Sequence, residues 1–522
     1  MHSKRIYGVA SLFFCMFLIF GSCRANESQK IAWVTQNARV IDTVQVERPL
    51  ADMSKSFDSI VGEAAVIALG ESGHGIRDAQ RFRTRFFEYL VKRKGVRAII
   101  LESGFYEGQI ANRYVHGMEN DIRMTLRNGF THNMGPWEES RELLEWMRSY
   151  NAKQTDPREK IHFYGMDLPN FQDAVISRTP AVDSPLEQVL EFVKKADAEC
   201  YRRAGKRIEE LACLSCKTID DVADFFEKKQ GVRYIDPDFL DELCSISYEN
   251  LKQEEKQELS YLLTQTIETL EIRRLRYLAE KNVSREEYET ALQMARFCRH
   301  ILGNLEFRKP LLSSPNIETI RKYLGFLYPP EELARLGLHN IRFQNTLEGW
   351  RGYFEARNGR ERAMADNANW IIAKHKKVLV YAHNSHLSRQ DYKSQNPLHD
   401  MRYGVSVGQY LAEKYGRDYV MIAQTMDRFV DEKGNALAQG HGGVPIPATQ
   451  DCKESIEYVL RKARPDLFAL DLRNVSHPAV KKWLEGYVKS RFSYDFLEVS
   501  PLKAFDALVF IRNMPFAIPV KQ

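Results

Sequence analysis

Two side chains suited to acid–base chemistry stand close together in a glycine-rich turn. Glu71 and His74 belong to the sequence GESGHG at positions 70–75. An imidazole held by a carboxylate can take a proton from water near neutral pH, because the ordinary pKa of histidine lies close to that pH. The glycines allow a tight turn with close backbone approach. The pattern predicts a proton-transfer site, and the alternative interpretation is an ordinary surface loop in which Glu71 and His74 have no chemical role.

More titratable side chains follow two other apolar segments of the chain. Glu102 ends the apolar run 96–101, and His383 and His386 follow the run 378–382. Because the carboxyl ends of parallel strands meet at one edge of a sheet, we expect these side chains to join the Glu–His turn there. No nucleophile elbow is identified in the sequence, so a serine triad is not indicated and water is the expected nucleophile.

A strand, a helix and a second strand are predicted around the turn. Residues 66–69 form a β-branched apolar run typical of buried strands, and 76–94 carries apolar side chains at helical spacing. With the run 96–101 this makes a βαβ unit, whose strands are parallel and whose crossover is right-handed. Arg83 lies on the predicted helix, nine residues after His74, and would reach the site if it faces the end of the sheet.

The remaining apolar runs complete the predicted fold class, an α/β protein with a mostly parallel central sheet flanked by helices. Further strands are predicted at 161–167, 378–383, 419–424, 467–472 and 507–511. Further helices are predicted at 106–118, 138–150, 340–357 and 360–375. Asp167 ends one strand and would either orient a catalytic group or cap the next helix, the commoner role for such a residue. His132 and His162 are expected to be structural.

Four segments are predicted along the 522 residues. Residues 1–23 form a signal peptide of lipoprotein type, 24–183 and 309–522 form the two parts of an α/β catalytic domain, and 184–308 forms a long helical insertion over the active-site edge. Leu, Glu, Lys and Arg recur in the insertion at helical spacing, with few Gly or Pro. Disulfides or buried thiols are favoured over metal ligation for four of its five cysteines. These cysteines, whose pairing is left open, are Cys200, Cys213, Cys216 and Cys244.

The N-terminal leader predicts where the protein acts. Lys4 and Arg5 precede an apolar run at 6–20, and small residues stand before Cys23, as in a secretory signal. The sequence FGSC at 20–23 resembles a bacterial lipobox, in which a lipidated Cys23 would tether the protein to a membrane. A phenylalanine replaces the usual leucine, so cleavage without lipidation is an alternative. The predicted location is a bacterial envelope, either periplasmic or as a membrane-anchored lipoprotein.

The charge of the chain argues against a nucleic-acid partner. The formal net charge of +5 is small for 522 residues, and basic side chains are interspersed with acidic ones. Because no basic stripe with interleaved aromatic residues is seen, the predicted partner is a small molecule rather than a nucleic acid. Protein partners are left open.

Several motifs in a shared order resemble those of the erythromycin esterase family. The main motifs are GESGHG at 70–75, Leu101-Glu102 and AHNSH at 382–386, with supporting segments at 137–139, 145–151, 164–167 and 362–367. The resemblance implies hydrolysis of a carboxylic ester without a metal or other cofactor, with macrolide lactones as the best-known family substrates. One alternative is hydrolysis of another ester or acyl group on an envelope component. The other is a non-catalytic lipoprotein that binds a metal or haem through the same His and Glu residues.

The resemblance also implies roles for individual residues. His74 is assigned as the general base that activates water, because the matching position has this role in the family. The other catalytic candidates would orient His74 or the water, support the site, or stabilise the oxyanion. These candidates are Glu71, Glu102, Arg83 and His383. The candidates for contact with the substrate are His386, Trp137 and Asp167.

Overall fold

The computed structural model describes most of the chain, in nine segments. They are 25–131, 134–168, 185–211, 252–279, 283–312, 347–393, 404–440, 444–463 and 465–520. The predicted signal peptide at 1–23 therefore lies outside the described residues, together with Cys23, His132, Cys213, Cys216 and Cys244. The side chains at 253, 303–312 and 347–356 are also outside the description.

An eight-stranded sheet forms the centre of the molecule, with the strand order β1-β7-β10-β6-β2-β5-β3-β4. A separate antiparallel hairpin is made by two further strands. The strands are β1 Arg39–Val40, β2 Val66–Glu71, β3 Ala98–Gly104, β4 His162–Asp167, β5 Val378–His383, β6 Tyr419–Val430, β7 Leu467–Asp471, β8 Val488–Phe492, β9 Asp495–Val499 and β10 Ala507–Pro515.

The sheet is mostly parallel, as the apolar runs predict. The six adjacent strands from β10 to β4 all pair in parallel. β7 runs antiparallel to β10, and the two-residue strand β1 runs antiparallel to β7. Within β2, Val66 and Ala68 face one hydrophobic core while Ile67 and Leu69 face the other. Because both faces of a strand like β2 are covered, its sequence is continuously apolar rather than alternating.

Helices cover both faces of the sheet. The longer ones are Glu27–Asn37, Ala51–Val61, Arg77–Lys94, Gly108–Val115, Ile122–Asn128, Glu138–Ala152, Pro185–Ala196, Gln253–Ile272, Arg274–Ala279, Arg285–Leu312, Leu347–His375, Val407–Tyr415 and Pro478–Glu485. Shorter helices are Ala198–Cys200, Asn384–Leu387, Ile456–Leu460 and Pro501–Ala504. Among the described residues, no helix combines the length and apolar character that a membrane span needs.

One continuous helix, Leu347–His375, is found where two helices were predicted at 340–357 and 360–375. The first seven residues of that prediction, 340–346, lie outside the described residues. The predicted break lay at Asn358-Gly359, and the structure continues the helix through both residues. A glycine in a helix interior costs only about 1 kcal/mol, which packing along the rest of the helix readily offsets. The prediction of two helices was therefore wrong at this boundary.

Helices of the predicted insertion pack beside the carboxyl end of β3. Phe105 follows this strand directly, and its ring centroid lies 5.3 Å from that of Phe297 on the helix Arg285–Leu312. Gln293 on the same helix donates a hydrogen bond to Asn367, at 2.8 Å. Cys200 and Cys298, two of the five cysteines of this region, are buried free thiols. The limits of the insertion at 184 and 308 remain predictions, and the helix Arg285–Leu312 continues past the second.

Candidate active site

The ends of β2, β3 and β5 bring the predicted acid–base residues together. Glu71 is the last residue of β2 and is paired in register with His383, the last residue of β5. His74 Nδ1 lies 2.8 Å from Glu71 Oε1, and His74 Nε2 lies 3.8 Å from Glu102 Oε1. The imidazole therefore stands between two carboxylates at the carboxyl edge of the sheet. This is the edge where open α/β folds place their sites.

His74 has the surroundings of a base that solvent can reach. Its side chain is 40% exposed, whereas Glu71 and Glu102 are 2% exposed. Because Nδ1–H donates to Glu71, the neutral ring has its lone pair on Nε2, at a distance from Glu102 too long for a hydrogen bond. Desolvation lowers the pKa of His74, but Glu102 and Glu71 outweigh this effect and the net pKa is raised.

Tyr381 holds the far side of Glu71. Its hydroxyl donates to Glu71 Oε2, and burial together with Glu71 raises the pKa of Tyr381 well above its ordinary value. The hydroxyl therefore stays a donor at all working pH values. With Tyr381 on one oxygen and His74 on the other, Glu71 has one orientation in which both contacts are made.

Arg83 lies behind Tyr381 rather than against His74. The guanidinium carbon is 5.1 Å from the Tyr381 ring centroid, and Nη2 donates to the carbonyl of Glu139 at 3.4 Å. The side chain is buried, and desolvation lowers its pKa despite the nearby Glu71. No hydrogen bond joins Arg83 to Glu71 or His74 among the described residues, so its influence on them is electrostatic.

Glu102 is the central anion of the site. Its Oε1 accepts from Arg360 Nη2 at 3.1 Å and lies 3.0 Å from His386 Nε2, while Oε2 accepts the backbone N–H of His383 at 2.8 Å. Burial alone would raise the pKa of Glu102. The charges of His386, His74 and Arg360 outweigh it and hold this pKa well below its ordinary value.

His386 is held as a cation between two carboxylates. Nε2 faces Glu102, and Nδ1 lies 2.5 Å from Glu361 Oε1. Burial lowers the pKa of His386, but Glu102 and Glu361 raise it to about 10, so the ring carries a proton at neutral pH. Because both nitrogens are engaged and the side chain is only 12% exposed, it presents little surface to a substrate.

His383 has the opposite protonation state. Its Nδ1 accepts the backbone N–H of Ser385 at 3.2 Å, so the proton is on Nε2, which donates to the carbonyl of Ser72 at 3.1 Å. Burial, together with the charge of His74, lowers the pKa of His383 to about 3. The ring is 5.8 Å from that of His74, and it fixes the backbone between Glu71 and His74.

Asp167 and Trp137 lie around this centre at different depths. Asp167 is buried and accepts from Arg360 Nε at 2.9 Å, and Arg360 in turn donates to Glu102. Trp137 stands beside the turn, since its Cζ2 is 3.8 Å from the position that a Cβ on Gly75 would occupy. Gly75 has φ +67°, a conformation that favours glycine, so the turn needs this residue type.

The β8–β9 hairpin supports the same turn. The backbone N–H of Ser493, at the tip of the hairpin, donates to the carbonyl of Ser72. A Cβ added to Gly73 would lie 3.2 Å from Ser493 Cα, so the glycine permits this close approach. Phe492 packs its ring against His383 with centroids 4.5 Å apart. The hairpin was not predicted from the sequence.

The spacing Gly-x-Ser-x-Gly does occur once, at 404–408, contrary to the expectation that no elbow sequence is present. Its serine has a structural role. Ser406 is the N-cap of the helix Val407–Tyr415, accepts from Gln409 N–H, and donates to the carbonyl of Ser388 at 2.8 Å. No histidine contacts Ser406 among the described residues. It is therefore not a nucleophile elbow.

Three residues of the site were missed in the sequence, namely Tyr381, Arg360 and Glu361. Tyr381 stands in an apolar strand two residues before His383, and its hydroxyl was the available signal. Arg360 and Glu361 lay at the start of the helix predicted at 360–375, and no role was assigned to them. Among the described residues, no group of three or more His, Cys, Asp or Glu side chains is arranged to hold a metal ion.

Comparison with known proteins adds the family. A family model described as erythromycin esterase matches residues 91–514, a range that includes Glu102, His383 and His386 and begins after His74. The chain is 23% identical to an erythromycin esterase type II of Escherichia coli over 377 residues, which is 72% of each protein.

Three solved structures share the fold. Because their sequence identities to the chain are below 25%, they support the fold assignment alone. A Bacillus cereus protein has TM-score 0.67 and 22% identity, covering 95% of this chain and 100% of its own. A succinoglycan biosynthesis protein has TM-score 0.65 and 18% identity, covering 95% and 99%. A histidine-to-asparagine mutant of the erythromycin esterase EreC, in its open conformation, has TM-score 0.62 and 16% identity, covering 93% and 100%. Because the family model matches most of the length of the chain, the chain belongs to the erythromycin esterase family.

Proposed function

We propose that this protein hydrolyses a carboxylic ester with water that His74 activates. Family membership supports a hydrolase of the esterase type. The observation that carries the finer proposal is the state of His74: Nδ1–H is bound to Glu71, and Nε2 is open on an imidazole that solvent reaches. A base in this position needs no further rearrangement to accept a proton from water.

The reaction follows from this geometry. His74 Nε2 takes a proton from water as the oxygen attacks the ester carbonyl, which gives a tetrahedral oxyanion and an imidazolium. The imidazolium lies between Glu71 and Glu102, so its charge is stabilised where it forms. When the carbon–oxygen bond to the alcohol breaks, His74 returns the proton to the leaving oxygen. The products are a carboxylic acid and an alcohol.

A serine nucleophile is the competing proposal for the same site, and the surroundings of the serines disfavour it. Ser385 Oγ lies 2.8 Å from His383 Nδ1, the one serine–histidine pair in the described part of the chain that resembles a nucleophile and base. Ser385 is buried, and the pKa of His383 is lowered to about 3 by burial first of all, so this ring is a poor base. Ser72 is also buried, and its hydroxyl has no hydrogen-bond partner among the described residues.

The proposed substrate is the lactone of a macrolide, because the family and two of the similar proteins carry the name erythromycin esterase. The test is mass-detected hydrolysis of a fourteen-membered macrolide by the purified protein beside His74→Ala. Addition of one water to the drug by wild type, with at least a roughly 100-fold loss in the variant, is expected. Unchanged hydrolysis by His74→Ala would overturn the role of His74. No hydrolysis by either protein would move the search to esters of envelope components.

Export is proposed on the leader alone. The basic start, the apolar run at 6–20 and the sequence FGSC at 20–23 support a lipoprotein signal. Expression in a bacterium with labelled palmitate tests it, and Cys23→Ser is the matched control. Label in wild type but not in the variant is the expected result, while a processed but unlabelled protein would indicate export without an anchor.

A further inference from the structure

One helix contacts both ends of the charge network behind His74. Arg360 and Glu361 are neighbours on the helix Leu347–His375. Arg360 binds Glu102 from one side, and Glu361 binds the His386 ring that contacts Glu102 from the other. Glu361 is only 3% exposed, so its charge acts on His386 with little screening by solvent.

The contacts of Glu361 fix its orientation. Oε1 lies 2.5 Å from His386 Nδ1, and Oε2 accepts the backbone N–H of Val407 at 3.0 Å. His386 Nε2 is in turn 3.0 Å from Glu102 Oε1, the oxygen that lies 3.8 Å from His74 Nε2. A line of alternating charge therefore runs from Glu361 through His386 and Glu102 to His74.

Resting on the proposed hydrolysis, we propose that Glu361 is a positioning residue that keeps the His386 imidazole protonated against Glu102 and so sets the pH at which His74 can act as a base. Other charged or titratable groups face this line from neighbouring elements and stay unchanged in the test. They are Glu71 beside His74, Arg83 behind Tyr381, Arg360 and Asp167 beside Glu102, the neutral His383, and Arg357 and Asp391, which line a small cavity with Glu361.

The sign of the effect follows from the charges. Glu102 and Glu71 raise the pKa of His74, and the positive His386 lowers it. Loss of the Glu361 charge makes His386 easier to deprotonate, because Glu361 is one of the two carboxylates that raise its pKa to about 10. A neutral His386 no longer lowers the pKa of His74, so His74 stays protonated to a higher pH and is lost as a base at neutral pH.

The experiment is the pH profile of kcat/KM for ester hydrolysis by the full chain and Glu361→Gln. We expect the acidic limb of the profile to move to higher pH by about 0.5 to 1 unit, with the plateau at high pH within a few-fold of wild type. His386→Gln should move the limb in the same direction, and the double variant should move it no further than His386→Gln alone. Glu361→Asp, which retains the carboxylate, should keep the limb near the wild-type position.

Asp366→Asn is the matched control. Asp366 lies on the same helix and pairs with His300 at 3.1 Å, without a contact to Glu102 or His74 among the described residues. Its profile should coincide with that of wild type. The proposal would be overturned if the acidic limb did not move in Glu361→Gln, or if it moved equally in Asp366→Asn. Either outcome would mean that the charge on His386 does not determine the position of the limb.

A second readout keeps the inference testable if the protein hydrolyses no ester offered. The histidine Cε1–H resonances of the same variants are titrated by NMR, with His74 and His386 assigned by substitution. Wild-type His386 should stay protonated from pH 6 to 9, whereas in Glu361→Gln it should titrate within this range while the His74 transition moves upward. If these titration shifts are seen but no ester is cleaved, the inference about Glu361 stands and the proposed ester hydrolysis fails. Unchanged titration in Glu361→Gln would fail the inference whether or not esters are cleaved.

Discussion

Histidines lie at both the carboxyl and the amino ends of the parallel strands, which are called here the carboxyl edge and the amino edge of the sheet. The pKa values of His386 and His162, one from each group, are shifted in opposite directions. At the carboxyl edge, His386 contacts two carboxylates, and its pKa is raised to about 10 against the effect of burial. At the amino edge, His162 at the start of β4 lies between His116 and His375, with ring centroids 4.6 Å from each. Burial and neighbouring positive charges lower the pKa of His162 to about 3 and of His375 to about 4.

The difference shows that the partner of a buried histidine decides its protonation. His383 lies at the carboxyl edge but has no carboxylate on its ring, and its pKa is lowered to about 3 like that of His162. His74 has carboxylates on both sides together with an open nitrogen. An acid–base site therefore needs carboxylates that hold the ring and enough exposure for water to reach it. Among the described residues, His74 at the carboxyl edge is the imidazole that meets both conditions.

The largest effect is expected from neutralising Glu102, the carboxylate that contacts the charged residues of the carboxyl edge. In Glu102→Gln, the partly buried cations Arg360 and His386 lose their shared buried carboxylate, so the free energy of unfolding should fall by about 3 kcal/mol. Ester hydrolysis should fall by roughly 100-fold or more, because His74 loses one of the two groups that stabilise its charge. Urea unfolding at neutral pH and initial rates measure the two changes.

Glu142→Gln is the control for this substitution. Glu142 pairs with Arg81 at 2.8 Å on the partly exposed surface, where such a pair contributes about 1 kcal/mol or less. If Glu102→Gln cost no more stability than Glu142→Gln, the buried charges would not depend on Glu102, and the contrast between the two edges would fail.

A smaller effect is expected from the amino edge, and it concerns stability in acid rather than activity. The pKa of His162 is lower in the folded protein than its ordinary 6.5, so the unfolded chain binds more protons. The associated stability is present above about pH 6.5 and is lost as pH falls toward 3. His162→Gln should therefore lose less stability on acidification than wild type, by roughly 1–2 kcal/mol between pH 7 and 4.5.

Urea unfolding of both proteins at the two pH values gives this difference, and the packing cost of the substitution cancels because it is present at each pH. Ester hydrolysis at neutral pH should stay within a few-fold of wild type. Equal acid sensitivity of the two proteins would show that the stack of imidazoles does not limit stability in acid.

The smallest effect should come from the support of Glu71. Tyr381→Phe removes the hydroxyl that donates to Glu71 Oε2 and leaves the ring in place. One such hydrogen bond contributes about 1 kcal/mol, so kcat/KM should fall by roughly 3- to 10-fold. Tyr89→Phe is the matched control, because the Tyr89 hydroxyl donates to Asp58 at 2.7 Å and contacts no site residue in the described part of the chain. A loss no greater than in Tyr89→Phe would mean that Glu71 is oriented without Tyr381.

The strand ends were predictable from the sequence, and the contacts behind them were not. The apolar runs at 66–69, 96–101 and 378–382 located the strands that carry Glu71, Glu102 and His383, because strands covered on both faces need continuous apolar sequence. Charge alone could not separate His383 from His386. Burial lowers the pKa of His383, and its Nδ1 accepts the Ser385 N–H. The pKa of His386 is raised by Glu102 and by Glu361, which lies 25 residues earlier in the chain.

Long-range pairing explains the other omissions. The strand β1 has two residues, too few for a sequence pattern, and β8–β9 forms a hairpin whose support of the His74 turn depends on a contact between Ser493 and Ser72. Arg83 was expected to reach the site if it faced the end of the sheet, and the structure packs its guanidinium against the Tyr381 ring. Helical spacing gives the face of a residue but not the side chain that lies in front of it.

Because Leu347–His375 is one unbroken helix, its rotation about its own axis helps to determine the geometry of the site. Successive residues of an α-helix point about 100° apart, so Arg360 and Glu361 hold the helix from two directions and leave it one angular setting. The helix ends two residues before β5, the strand that carries His383 and leads to His386. An extra residue inserted between Glu361 and β5 would turn both side chains by about 100° and shift them by about 1.5 Å. The length of this segment is therefore as much a determinant of the site as the identity of its side chains.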